Sequence, residues 1–203
     1  MKRILFGLVI AVLLSTTASA QFTGHLSTAE TVLKSQSNAG GFVGIYEDGL
    51  GVVGQYRRGI GGYSDFGIKL GIVDFDAQDG NGMVIALDTK YQIMEVRIQD
   101  PVDLSVGGKI EFGLFEHYNI MSFGGFLTGS HPILLRSGRA VTPYGMVILR
   151  VDRVDHDEFD SDSDFKIALT LGSKLELSSS SSVYTEFHLD EMFAFFMGVE
   201  FGL

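Results

Sequence analysis

The chain has no cysteine, so disulfide staples and thiolate chemistry are both excluded. Proline is scarce, with 3 in 203 residues, while glycine is plentiful at 26. Gly-rich, Pro-poor sequence with strand patterning favours β structure in which backbones approach closely. After the N-terminus no apolar run reaches the roughly 20 residues that a membrane-spanning helix needs. Basic residues are few. Residues 1–20 have the layout of a secretory signal peptide: Lys2 and Arg3, an apolar core from Ile4 to Leu14, and Ala18-Ser19-Ala20 as the cleavage site. Gln21 is then the first mature residue, and the mature chain has 13 basic against 25 acidic residues, a net charge of −12. Nucleic-acid binding needs a basic footprint that this chain lacks.

From Gly41 onward, short stretches with a period of two follow one another between turns. The last is the clearest. Phe193, Phe195, Met197, Val199, Phe201 and Leu203 form one row, while Ala194, Phe196, Gly198, Glu200 and Gly202 form the other. Side chains alternate faces along a strand, so one face of this stretch is unbroken apolar surface. The same scheme recurs upstream. Phe66, Ile68, Leu70 and Ile72 oppose Asp65, Gly67, Lys69 and Gly71; Met83, Ile85, Leu87 and Tyr91 oppose Asp88, Lys90 and Gln92. The stretch Tyr118–Gly129 has apolar residues in both rows, so its facing stays open.

The closing stretch resembles the C-terminal strand of small bacterial outer-membrane β-barrel proteins, which end in alternating apolar residues with an aromatic at or near the end. Leu203 stands where Phe is usual, and Phe201 lies two residues earlier. The resemblance implies an all-β antiparallel meander closed into a transmembrane barrel. The repeated pattern gives about ten strands, with about eight as the alternative. The expected division is a signal peptide (1–20), an N-terminal periplasmic segment (21–40) and the barrel (41–203). In the periplasmic segment Ser27 and Glu30 have capping-box spacing, which predicts a short helix through Thr28–Ser35. The resemblance further implies partners: outer-membrane lipid and, through the last strand, the barrel-assembly machinery. It puts the C-terminus in the periplasm, the connection His131–Ala140 on that side, and the acidic stretch Asp155–Asp164 outside.

Two barrels fit an alternating pattern: a membrane barrel with its apolar row outward, and a soluble calyx with that row inward. The polar row combines glycines (Gly67, Gly71, Gly107, Gly113, Gly172, Gly198 and Gly202) with charges of both signs. A narrow interior needs small residues to make room for long ones, and an apolar row nearly free of charge suits lipid. The expected lumen network is therefore Asp65, Lys69, Asp88, Lys90, Lys109, Glu111, Arg150, Asp152, Lys166, Lys174, Glu176, Glu186, His188 and Glu200. Similar numbers of both signs suit a salt-bridged interior rather than a wide pore.

No metal-ligand or catalytic spacing stands out, and no cofactor is expected. Glu186 with His188 is the one acid–base pair worth weighing, against a plain role in the lumen network. Asp157, Asp160, Asp162 and Asp164 could offer oxygen ligands to Ca²⁺, but the loop lacks the spacing of an EF-hand. Tyr91, Phe112, Phe115, Tyr118 and Phe193 suit either interfacial girdles or core packing. Four functions remain: a structural or interaction barrel, a narrow channel for small solutes, a soluble calyx for an apolar ligand, and an enzyme acting through Glu186 and His188.

Overall fold

The computed structural model describes residues 22–75, 80–96, 101–156, 162–190 and 193–203. The expected signal peptide lies outside the described residues, as do Asp157 and Asp160 of the acidic stretch. Eleven strands follow one another: β1 (Ser37–Tyr46), β2 (Gly49–Gly59), β3 (Ser64–Phe75), β4 (Gly80–Met94), β5 (Asp103–Leu114), β6 (Tyr118–Ser130), β7 (Ile133–Leu134), β8 (Ala140–His156), β9 (Asp162–Ser178), β10 (Ser181–Leu189) and β11 (Ala194–Gly202). Each pairs antiparallel with its neighbour. β1 closes on β11, and β6 pairs directly with β8, so a ten-stranded ring is complete and has no free edge. β7 is a two-residue appendage that pairs Ile133 with Val141 and Leu134 with Ala140. The connection expected over His131–Ala140 is thus itself a small hairpin, tightened by Leu135 N–H donating to the Arg139 carbonyl.

The period of two governs facing throughout. Leu70, Ile72, Leu149, Phe165, Ile167 and Met197 point outward and are exposed, whereas Lys69, Gly71, Arg150, Lys166 and Phe196 point in. β6 is resolved the same way, with Ile120, Ser122, Phe126 and Thr128 inside and Met121, Phe123 and Leu127 outside. An apolar exterior over a charged interior inverts a water-soluble barrel. The soluble calyx, which needs its apolar row inside, does not fit this chain.

The inner glycines have a local reason. A Cβ at Gly172 would run into the Tyr144 ring, and one at Gly107 into Phe126. Bulky inner side chains lie flat over glycines on the neighbouring strand, which a narrow barrel requires.

Two ends can be distinguished. The upper mouth holds the β1–β2 turn and the ends of β3 and β5. The lower mouth holds the start of β1 and the end of β11. An aromatic cluster of Phe22, Tyr46, Phe75, Phe115 and Phe196 fills the upper lumen. Phe22 lies 5.0 Å from Phe115 and 6.1 Å from Phe75 between ring centres. Phe115 and Tyr118 stack at 4.8 Å within this cap, so these two are not girdle residues. Tyr91, Phe112 and Phe193 do face outward.

Candidate functional site: the occupied lumen

Phe22–Ala29 does not lie outside the barrel. Every residue of that stretch is buried, and the segment runs through the lumen from the aromatic cap down to Thr31. The expected periplasmic placement and the expected helix over Thr28–Ser35 are both corrected: there is no helix, and Lys90 donates to Ser27 Oγ at 2.8 Å. The physical reason is hydrogen-bond accounting. A buried backbone group left unpaired costs about 1–3 kcal/mol, so an irregular buried segment needs partners for its main chain. Here the wall supplies them in place of helical bonds.

Carboxylates, an amide oxygen and a hydroxyl of the wall accept from the segment's N–H groups. Glu111 accepts from Phe22 N at 2.7 Å and Thr23 Oγ1 at 2.5 Å. Glu186 accepts from His25 N at 2.6 Å and Leu26 N at 2.7 Å. Lower down, Ser130 Oγ takes Ala29 N, Gln92 Oε1 takes Thr31 N, and Asp65 takes Val32 N at 2.8 Å. Donors of the wall hold the carbonyls. Lys69 Nζ reaches the carbonyls of Gly24 at 2.6 Å and His25 at 2.8 Å. Lys90 Nζ reaches those of Thr28 at 2.6 Å and Glu30 at 2.7 Å. Tyr46 donates to the Phe22 carbonyl, Gln55 to that of Leu26 and Ser105 to that of Ala29. The segment turns twice through positive φ, at Gly24 (64°) and Leu26 (52°), and this turn presents adjacent N–H groups to Glu186. Its exit passes over Gly59, where any Cβ would strike the Val32 and Leu33 carbonyls.

The wall charges also pair with one another. Arg57 bridges Asp65, at 2.5 Å, and Asp88. Lys69 lies 3.8 Å from Asp88 and Lys90 3.7 Å from Asp65. Lys109 meets Glu111 at 2.8 Å, and Arg150 joins Asp152 at 2.9 Å to Asp190 at 2.5 Å. Glu200 takes Asn38, Gln55 and, at 3.3 Å, Tyr184.

Of the fourteen lumen residues expected from sequence, the structure buries Asp65, Lys69, Asp88, Lys90, Lys109, Glu111, Arg150, Asp152, Lys166, Glu186, His188 and Glu200. Lys174 and Glu176 sit half-buried at the lower mouth, beside a polar cleft of about 170 Å³ that also includes Asn38, Ser178 and Glu200. Arg57, the hub of the ionic cluster, is not among the residues expected from sequence. Gly51, Val53, Gln55 and Arg57 form the inner row of β2, but its outer row Val52, Gly54, Tyr56 and Arg58 has nearly the same composition. Asp162 and Asp164 lie in β9, and among the described residues no three acidic or histidine side chains gather as a metal site would need.

Glu186 and His188 do meet, at 2.6 Å. Yet Glu186 also accepts from Tyr144 at 2.6 Å and from two plug amides, and it is fully buried. Its oxygens have no room left for a substrate. A wide concavity of about 800 Å³ lies on the outer wall, floored by Gly108 and Gly125 and flanked by Ile68, Leu87, Phe123 and Phe165. It belongs to the apolar exterior, and its lining is mostly apolar, with Thr89 the polar residue on the outer row.

The geometry defines a closed antiparallel barrel with an apolar coat and an ionic lumen filled by its own N-terminal segment. No family model matches the chain, and no curated protein matches it. Solved structures similar to it are themselves outer-membrane barrels. A bacterial polysaccharide outer membrane secretin shares 9% identity at a TM-score of 0.46; this chain is covered over 76% and spans only 56% of that chain. The N-terminal β-barrel domain of Pseudomonas aeruginosa OprF shares 9% at a TM-score of 0.37, covering 84% of this chain and 98% of that one. The KdgM porin shares 5% at 0.43, covering 81% and 98%. At such low identity and TM-score these likenesses carry no argument about the chain, and its reading rests on its own geometry.

Proposed function

We propose that the protein is a bacterial outer-membrane β-barrel, closed at rest, with a structural or interaction role and no catalysis. The observation that carries this reading is the inversion of the two rows. Outward side chains such as Leu70, Ile72, Val147, Phe165 and Ile167 are 44–67% exposed, while among the described residues eleven inward Asp, Glu, Lys and Arg residues are exposed by 5% or less. An apolar surface running around a whole barrel far exceeds the few hundred Å² that a soluble protein leaves in water. Lipid is the solvent that suits it, because a closed barrel leaves no unpaired backbone facing hydrocarbon.

The lower mouth, where β1 starts and β11 ends, is assigned to the periplasm, and the Asp-rich β8–β9 connection to the outside. β11 is the segment through which assembly machinery would engage the chain. Membrane fractionation with unheated and boiled gel electrophoresis tests the reading. A heat-shifted band in the detergent-extracted outer membrane is expected; a soluble periplasmic protein with no shift would overturn it.

A further inference from the structure

We propose that Phe22–Val32 is a displaceable gate: the lumen wall is a binding site for an extended peptide main chain, and emptying it turns the barrel into a narrow ion conduit. The proposal rests on the membrane reading above. Three observations carry it.

The first is how the segment is held. Among the described residues, the hydrogen bonds that tie Phe22 to Val32 to the wall come from wall side chains, and the segment joins no ladder of the barrel; the bridge of Lys34 with Gly59 lies beyond the plug. Side-chain grips can be released one at a time without breaking a strand pair.

The second is that the gripping charges have wall partners in reach. Lys69 holds plug carbonyls, yet its Nζ is 3.8 Å from Asp88, whose Oδ2 is buried and accepts no hydrogen bond from the protein. Lys90 stands likewise 3.7 Å from Asp65. Glu111 and Glu186 already contact Lys109 and His188. When the segment leaves, these charges close on one another instead of standing unpaired, which removes the main penalty of an empty lumen. The wall therefore has two satisfied arrangements, as a switching element requires.

The third is the route. The segment joins the barrel through the turn at Ser35 (φ 68°), below Gly59, so it can withdraw toward the lower mouth without unthreading β1. The emptied path would be lined by Lys69, Lys90, Lys109, Asp65, Asp88 and Glu186. Both signs are present, so weak selectivity between small cations and anions follows.

The test uses planar bilayers and the natural absence of cysteine. The mature full chain is expected to be silent apart from brief openings. The chain lacking residues 22–32 is expected to conduct steadily, and a synthetic peptide of residues 22–32 should block it. In parallel, the full chain carrying Thr28→Cys is labelled in vesicles with a water-soluble thiol reagent. Labelling at least about tenfold slower than at the exposed Ser180→Cys, with the heat-shifted band retained, indicates opening without unfolding. A folded but silent deletion variant, a peptide that fails to block, or a Thr28→Cys that stays unreactive while the barrel is folded would each overturn the gate. Should the deletion variant not fold, the labelling result decides alone. Absence of a heat-shifted membrane band for the full chain would remove the membrane reading and the gate together.

Discussion

The upper and middle lumen are filled by one segment but held by different physics. At the top, Phe22 sits among Tyr46, Phe75 and Phe115, and apolar burial with edge and tilted ring contacts adds to the bonds its backbone makes with Glu111 and Tyr46. In the middle, Gly24–Thr31 offers mostly main chain, and the hold is hydrogen bonding to Glu186, Lys69, Lys90 and Gln92. The apolar part has no second partner to turn to. The polar part does, because each lysine has a wall carboxylate nearby. The cap therefore adds apolar burial to the plug's hold, while the ionic section fixes its register and makes its departure tolerable.

Phe22→Ala attacks the cap. Truncating a buried phenylalanine in a packed cluster costs about 3–5 kcal/mol, and here that cost falls on plug docking. The expected outcome is a folded barrel with a much raised open fraction, read as conductance or as labelling at Thr28→Cys. Leu70→Arg tests the coat instead of the lumen. Leu70 is 57% exposed on the outer row. A cation there should cost about 2–4 kcal/mol of folding into lipid vesicles, and little in a detergent that lets the side chain reach water.

Glu186→Gln sharpens the contrast with the cap. One oxygen still accepts, but the variant amide places a donor against plug N–H groups, at about 1–3 kcal/mol. Plug release should rise less than for Phe22→Ala, and the two variants should be nearly additive because they lie in separate sections. Arg153→Ala is the control. Its ion pair with Asp155 at 3.1 Å is half-exposed on both sides. Such a pair contributes at most about 1 kcal/mol, so folding and closure should hardly change.

Much of the barrel was legible in the sequence because its signal is local. The rows Asp65/Lys69 against Ile68/Leu70 and Glu186/His188 against Phe187/Leu189 differ so sharply that facing follows from alternation alone. β2 lacked that contrast, so Arg57 escaped notice. The plug escaped for a deeper reason. Phe22–Thr31 has no periodicity, since nothing in an irregular segment repeats. Its fold is written in the wall that grips it, through contacts 24–161 residues away in sequence. The capping-box spacing of Ser27 and Glu30 suggested a helix, and tertiary partners for the backbone overrode it. The available clue was the inner row itself, rich in lysines and carboxylates that can grip a main chain as readily as they pair with one another.

The central claim is that the apolar row faces hydrocarbon and the ionic row faces the plug. Single-cysteine variants carrying a fluorophore, folded into vesicles of lipid brominated along the acyl chain, test this most directly. Leu70→Cys and Leu149→Cys on the outer row are predicted to be strongly quenched, and Ala86→Cys and Thr170→Cys on the inner row to be untouched. Equal quenching of both rows, or quenching of the inner row alone, would contradict the account.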